Sequence, residues 1–595
     1  MLVKYNALDS ACKSIIGAIK EDTEFSLTVT ANAKIVKLSL YEDKTSTTTE
    51  YKFTNTAPNV FSVTLSLKKG LYFYNIIVDG ISYYANSNFE ATTFGDNKWQ
   101  LTVYDKKYKT PSWFKGGIMY QIFPDRFCRV GKDFLLPKNK IARKWGEEPY
   151  YKPNKLGKIL NNDFFGGNFK GIESKLNYLK DLGVNVIYLN PITKAFSNHR
   201  YDTANYGEID ELLGSEKDFK SLTLKAEKLG IKIVLDGVFN HTGDDSVYFN
   251  KYHTFDSLGA YESKKSPYYD WYTFTEYPNK YTSWWGIDVL PTINKNSKKF
   301  EEYIAGKNGI LEKYMDLGVS GYRLDVVDEL PSSFVKKIRK TIKKKNPNSV
   351  LIGEVWEDAT NKIAYDTRKE YFLGEELDSV MNYPLQKAII DFLKNKNQSN
   401  LKSVILSQIN NYPFDALISL MNILSTHDTR RILTCLGSNK EYKTREEMHS
   451  AVLSENELIV GKTLLKLAVV LQFMLYGTPC IYYGDESGMQ GEKDPFNRRT
   501  FPWDNIDKTI HNFYKKMSQI RTDNNAIKYG ETKIIKDEKG LIAFTRKYEN
   551  EEILIAVNVS NNTYEIKTDS PKTNLFTESK GNKFTLKTNE FIIIK

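Results

Sequence analysis

The sequence predicts an α/β protein: a (β/α)8 TIM barrel with an insertion after its third strand, flanked by small N-terminal and C-terminal all-β domains. Three observations carry this. Eight short apolar runs between residues 118 and 483 alternate with amphipathic helical stretches, the pattern of a parallel sheet. No glycine-rich phosphate loop marks an open doubly wound sheet, which favours a closed barrel. The segments on either side consist of short alternating runs separated by polar turns.

Taken in order, residues 1–105 hold runs at 24–29, 35–40, 60–67 and 72–78, with Gly70 and Asp79-Gly80 as turn signals, which suits a β-sandwich. Packing or subunit contact is the favoured role for this domain, ahead of sugar binding. A polar linker at 106–112 leads into the barrel, placed at 113–523. Its strands are expected at 118–123, 184–189, 232–236, 321–325, 350–354, 379–382, 418–424 and 479–483, with helices at 172–182, 217–229, 300–317 and 334–344 among those between them. Residues 128–162 separate the first strand from its helix. Residues 242–296, after the third strand, are rich in aromatics, including Trp271, Tyr272, Trp284 and Trp285. An excursion of that length inside a compact domain is usually functional, and loops at this end of a barrel build its site. Trp284 and Trp285 are therefore candidate sugar-stacking platforms, or equally part of the insertion's own core. Residues 525–595 return to short strands and form the C-terminal β-domain.

Composition narrows the function. With 84 Lys and Arg against 73 Asp and Glu the net charge is +11, modest over 595 residues. The densest basic run, 336–345, ends an amphipathic helix pattern and reads as a solvated face, so no nucleic-acid partner is expected. The longest apolar run, 464–475, contains Lys466 and Gln472 and is too short for a bilayer, so no membrane partner is expected. Cys12, Cys128, Cys435 and Cys480 show neither metal-ligand nor disulfide spacing. No secretory signal is visible, and a cytoplasmic location is the expectation.

The chemistry sits at the expected strand ends. The third strand runs into Asp236 and His241, the fourth ends at Arg323 and Asp325, the fifth at Glu354, and the seventh runs into His427 and Asp428. Arg323 and Asp325, two apart on a strand, share a face, and alone they read equally as a structural ion pair. Together the strand ends place several carboxylates, two histidines and an arginine on one rim. Glycoside hydrolysis needs such a set: an acid for the departing oxygen and a carboxylate for the anomeric carbon. Glu354, between an apolar strand and Trp356, is expected to be buried and to hold its proton. Asp325, beside Arg323, is expected to stay ionised.

These four stretches resemble the signature regions of the α-amylase family of retaining glycoside hydrolases. Residues 183–191, 290–294 and 477–486 add to the likeness. Residues 120–127, 164–172, 197–206 and 494–503 bring it nearest the neopullulanase, cyclomaltodextrinase and maltogenic amylase branch. The resemblance covers roughly 113–510. It implies Asp325 as nucleophile, Glu354 as general acid/base and Asp428 as transition-state stabiliser. It further implies Arg323, His241 and His427 as hydrogen-bond partners of the sugar, Tyr201 as its stacking surface and Asp236 as support. The implied activity is retaining hydrolysis of α-1,4 links, with α-1,6 links as a secondary target, in maltooligosaccharides, cyclodextrins, pullulan or starch, with an α-glucan as partner. A transglycosylase of the same fold and a non-catalytic glucan-binding member are the alternatives. A homodimer is the association that related enzymes suggest. Two positions depart from the family. After Asp325 the chain has Val326-Val327-Asp328-Glu329, where the branch often has valine-alanine-asparagine-glutamate, so Asp328 leaves that pattern. Many α-amylases place a histidine that helps hold calcium where this chain has Glu329. Asn240 matches one ligand of that calcium, but no metal ligand is assigned.

Overall fold

The computed structural model describes residues 3–131, 136–137 and 139–595. At its centre lie eight parallel strands: β1 (Met119–Ile122), β2 (Val186–Leu189), β3 (Lys232–Gly237), β4 (Gly321–Leu324), β5 (Val350–Gly353), β6 (Ser379–Val380), β7 (Met421–Ile423) and β8 (Thr478–Tyr482). Neighbours follow the order β6-β5-β4-β3-β2-β1-β8-β7. A parallel bridge between Met381 and Met421 joins the two ends, and the Asn382 N–H donates to the Met421 carbonyl at 2.8 Å. The sheet is thereby a barrel.

Both faces of these strands are buried, which is why they read as nearly continuous apolar runs. Met119, Val186, Tyr188, Val234, Ile352, Met421 and Cys480 belong to one interior cluster. Alternate residues, such as Tyr120, Ile187, Leu235 and Leu351, join the larger core beneath the helices. Gly321 opens β4 where a Cβ would collide with the Val350 carbonyl oxygen.

The helices follow from their stripes and caps. Glu216–Lys228 begins with a Ser215/Asp218 capping box and buries Phe219, Leu222 and Ala226. Ser332–Lys345 carries the lysine-rich run. It buries Phe334, Val335, Ile338 and Ile342, while Lys337 pairs with Glu302 at 2.8 Å and Lys345 with Asp316 at 2.6 Å. The single helix expected at 300–317 is instead two, Lys298–Ala305 and Ile310–Asp316. Gly306, Gly309 and a left-handed Asn308 (φ 58°) lie between them, residues that leave a helix at little cost. The apolar run at 464–475 lies largely in the buried part of Glu455–Met474. Among the described residues, no helix is long and apolar enough to cross a membrane.

The insertion after β3 has its own aromatic core. Tyr248, Phe249, Trp271 and Tyr272 are buried, and the Phe249 ring meets Tyr272 at 4.8 Å and Tyr281 at 4.7 Å. The N-terminal β-domain pairs a four-stranded sheet with a seven-stranded one. Phe25, Leu27, Val29, Leu38, Tyr74 and Trp99 fill the space between them. At the C-terminal end, Glu531–Glu538, Leu541–Tyr548, Glu551–Asn558 and Glu590–Ile594 form an antiparallel sheet, beside a ribbon of Tyr564–Thr573 and Lys580–Leu586.

Candidate active site

The C-terminal ends of the barrel strands open on a cavity of about 1360 Å³. Tyr201, His241, Asp325, Glu354, His427 and Asp428 line it together with Trp284 and Trp285. Arg323 and Asp236 lie fully buried just beneath.

Arg323 is the hub. Its Nη1 donates to Asp236 Oδ1 and to Asp325 Oδ1, each at 2.8 Å, and its Nη2 lies 2.8 Å from Glu354 Oε2. The Nη2 contact is an ion pair off the ideal donor direction, so proximity rather than alignment supplies the attraction. One guanidinium therefore faces three carboxylates from three strand ends. The simple pairing of Arg323 with Asp325 alone needs correction. Burial pushes the Asp325 carboxyl well up; Arg323 opposes this, and the Glu354 and Asp236 charges reinforce it. Burial is the main cause of this rise, and the one cation that opposes it is shared among several anions.

Glu354 lies on the other side of Arg323. It is buried, but its pocket is rich in donors: the Val326 N–H reaches Oε2 at 2.9 Å and the Trp356 indole reaches Oε1 at 3.1 Å. The chain makes this possible at Val326, which is left-handed (φ 40°, ψ 50°) immediately after Asp325. A β-branched residue there is strained, and strain of this kind concentrates at functional sites.

The other wall is a relay. Tyr188 and Tyr201 both donate to Asp236 Oδ2, at 2.6 and 2.7 Å. The Tyr201 oxygen also lies 2.6 Å from His427 Nε2, and the two rings are nearly parallel. Gln121 donates its amide to His427 Nδ1 at 2.9 Å, which leaves the imidazole proton on Nε2, facing Tyr201 and Asp428 Oδ2 at 3.1 Å. Burial, with Arg498 and Arg323 nearby, holds His427 far below the usual histidine range and therefore neutral at pH 7. Burial pushes His241 down to about 3, with Lys295 adding to the effect. His241 Nε2 is buried without a hydrogen-bond partner. Burial raises Asp428 as well, against the pull of Arg498 3.6 Å away.

Trp284 and Trp285 stand outside the insertion's core. Trp284 stacks on His241 at 5.3 Å, and Trp285 is 81% exposed with a left-handed backbone (φ 52°). Both indoles donate to one oxygen, Glu329 Oε1, at 2.9 and 3.1 Å. Sequence reasoning missed Gln121, Tyr188, Trp356 and the link from Glu329 to the two tryptophans. Gln121 and Tyr188 did carry a signal: each is polar on an otherwise apolar strand, close to its C-terminal end.

The residues around Asn240 do not fit a calcium ion. The Lys295 ammonium donates to Asn240 Oδ1, so a cation already sits on the one oxygen that matched. Among the described residues, no group of three or more His, Cys, Asp or Glu is placed to hold a metal.

Residues 121–509 match the alpha amylase catalytic domain and residues 530–588 the alpha-amylase C-terminal domain. The chain is 35% identical to an amylopullulanase of Thermoanaerobacterium saccharolyticum, over 96% of this chain and 49% of that one. It is 32% identical to a cyclomaltodextrinase of Thermoanaerobacter pseudethanolicus, over 85% of this chain and 82% of that one. The chain thus spans half or less of the length of the amylopullulanases it matches. The type III pullulan hydrolase of Thermococcus kodakarensis superposes over the whole of both chains with a TM-score of 0.70 at 25% identity. A catalytic-domain match over most of the barrel, relatives above 30% identity along most of the chain, and an Arg323-centred carboxylate cluster at the strand ends lead to one conclusion: this chain belongs to the alpha-amylase family.

Proposed function

We propose that the protein is a retaining α-glucan hydrolase that cleaves α-1,4-glucosidic bonds in maltooligosaccharides and cyclodextrins, and α-1,6 bonds of pullulan-like substrates, through a covalent glycosyl-enzyme. The observation that carries this reading is the single guanidinium of Arg323 in contact with Asp236, Asp325 and Glu354 at the floor of an open cavity. The names of the relatives point the same way, since they include cyclomaltodextrinase and neopullulanase.

In this reading Glu354 protonates the departing glycosidic oxygen while an Asp325 oxygen attacks the anomeric carbon from the opposite face. The C–O bond to the leaving sugar breaks and a glycosyl ester forms. Water then enters; Glu354 takes one of its protons, the new hydroxyl bonds to the anomeric carbon, and Asp325 leaves as carboxylate. Both carboxyls contact Arg323, and in this reading Asp325 acts as the carboxylate while Glu354 carries the proton to be donated. Asp428 stabilises the charge that develops on the sugar, with neutral His427 and His241 bonding its hydroxyls and Tyr201 under its face. Bonds that shorten at the transition state lower the barrier.

We further propose the division 1–105, 113–523 and 525–595 into N-terminal, catalytic and C-terminal domains. A cytoplasmic location is supported by four cysteines that are all unpaired. The test of function is direct. Asp325→Asn and Glu354→Gln should each lower kcat on maltoheptaose by about 10³-fold or more with the fold intact. Near-wild-type turnover in either would sink the assignment.

A further inference from the structure

The N-terminal domain contacts a loop that stands at the mouth of the site. After β5 the chain forms a two-stranded hairpin, Ile363–Ala364 paired with Thr367–Arg368. At its tip Tyr365 and Asp366 are both left-handed (φ 51° and 56°), a turn that ordinarily recruits asparagine and glycine. Tyr365 is 69% exposed, lines the active-site cavity and lies against the Glu329 carboxylate. That carboxylate also holds the indoles of Trp284 and Trp285. An aromatic residue placed in a strained, exposed turn needs support from elsewhere.

The support comes from 260 to 325 residues away in sequence. Asp43 grips Arg368 with both oxygens, Oδ2 to Nε and Oδ1 to Nη2, each at 2.9 Å. The planar fork matches the carboxylate, the geometry that gives an ion pair directional strength. The guanidinium also lies over the Phe73 ring and donates to the Asn361 carbonyl within the loop. Gln100 adds a second clamp: its amide nitrogen donates to Thr360 Oγ1 at 2.8 Å, and its oxygen accepts from Asn361 Nδ2 at 2.7 Å. Gln100 is 6% exposed, so these bonds are shielded from water.

We propose that Asp43 and Gln100 are positioning residues: they fix the 360–368 loop so that Tyr365 meets Glu329, the carboxylate that holds Trp284 and Trp285. The three aromatics then grip glucose units beyond the bond being cleaved, and the N-terminal domain tunes affinity for longer glucans. This rests on the α-glucan reading above.

The experiment compares the full-length wild type with Asp43→Ala, Arg368→Ala and the charge-swapped pair Asp43→Arg/Arg368→Asp. Hydrogen exchange across 360–369 is read by mass spectrometry, and kcat and KM are measured on maltotriose and maltoheptaose. Either single variant should speed exchange in the loop and raise KM for maltoheptaose about fivefold, with kcat and KM for maltotriose within twofold. The swapped pair should recover most of both effects. Unchanged exchange and KM in both single variants would overturn the proposal. So would an equal loss on both substrates, since that marks general damage. A wild type that cleaves no α-glucan would instead reject the functional reading, and the exchange data alone would then decide the positioning claim.

Discussion

At the scale of single residues, the site concentrates cost where chemistry needs it. Asp325 sits in a native environment that raises its affinity for a proton. A carboxyl raised in the folded state loses stability as pH climbs from its unfolded value, near 4, towards its folded one. Asn cannot ionise and escapes this cost, and Arg323 keeps Asp236 and Glu354 as partners. Asp325→Asn should therefore be inactive yet melt at or above the wild-type temperature near pH 7, as calorimetry would show. A lower Tm would mean that Arg323–Asp325 is a stabilising structural pair after all. The same shift places the acid limb of kcat/KM above the ordinary carboxylate range, because the nucleophile must be ionised to attack. A limb near pH 4 or lower, in initial-rate measurements, would contradict it. Val326 supplies a second case. Glycine relieves its left-handed strain, about 1–2 kcal/mol, but adds about 0.5–1 kcal/mol of backbone freedom. Val326→Gly should leave Tm nearly unchanged while kcat falls, because the N–H aimed at Glu354 is no longer fixed. Asp325, Glu354, His427 and Asp428 were legible in the sequence, since strand-end polarity marks them. The sharing of Arg323 was not, because it depends on how three strands are placed side by side.

At the scale of elements, the barrel strands were legible to within three residues, because burial on both faces writes itself as apolar runs; the largest error, at the start of β7, falls where a short helix, Phe414–Leu417, ends just before the strand. The broken helix at Lys298–Ala305 and Ile310–Asp316 was harder. Its hydrophobic period continues across the break, and only Gly306, Asn308 and Gly309 betray it. The insertion shows the limit most clearly. Its tryptophans look alike in sequence, yet Trp271 is 3% exposed and Trp285 is 81% exposed. Trp271→Ala should cost about 3–5 kcal/mol in denaturant unfolding, from lost burial and the cavity left behind. Trp285→Ala should cost no more than about 0.5 kcal/mol and raise KM for maltoheptaose instead. A reversed ranking would return Trp285 to the role of core residue.

At the scale of the whole molecule, the three layers of the chain communicate through polar contacts that no local pattern announces. Asp43 and Arg368 bond across 325 positions, and Arg521 and Arg546 are buried among main-chain carbonyls where the C-terminal region meets the barrel. Sequence reasoning could place the flanking domains but could not say what they touch. The Lys295 ammonium on Asn240 makes a further prediction at this scale. Exhaustive chelation should change neither Tm nor kcat, measured before and after calcium is restored. A fall in both that calcium reverses would show that a calcium ion, rather than Lys295, organises Asn240.

The central claim is that Asp325 forms the covalent bond to sugar and Glu354 handles the protons. A maltosyl fluoride carries a leaving group that needs no acid, so Glu354→Gln should still form the glycosyl ester but lack the base that hydrolyses it. Mass spectrometry of that variant after brief exposure to the fluoride should find one maltosyl group on the peptide that contains Asp325. An unmodified Asp325 peptide, or the sugar on another carboxylate, would contradict the account.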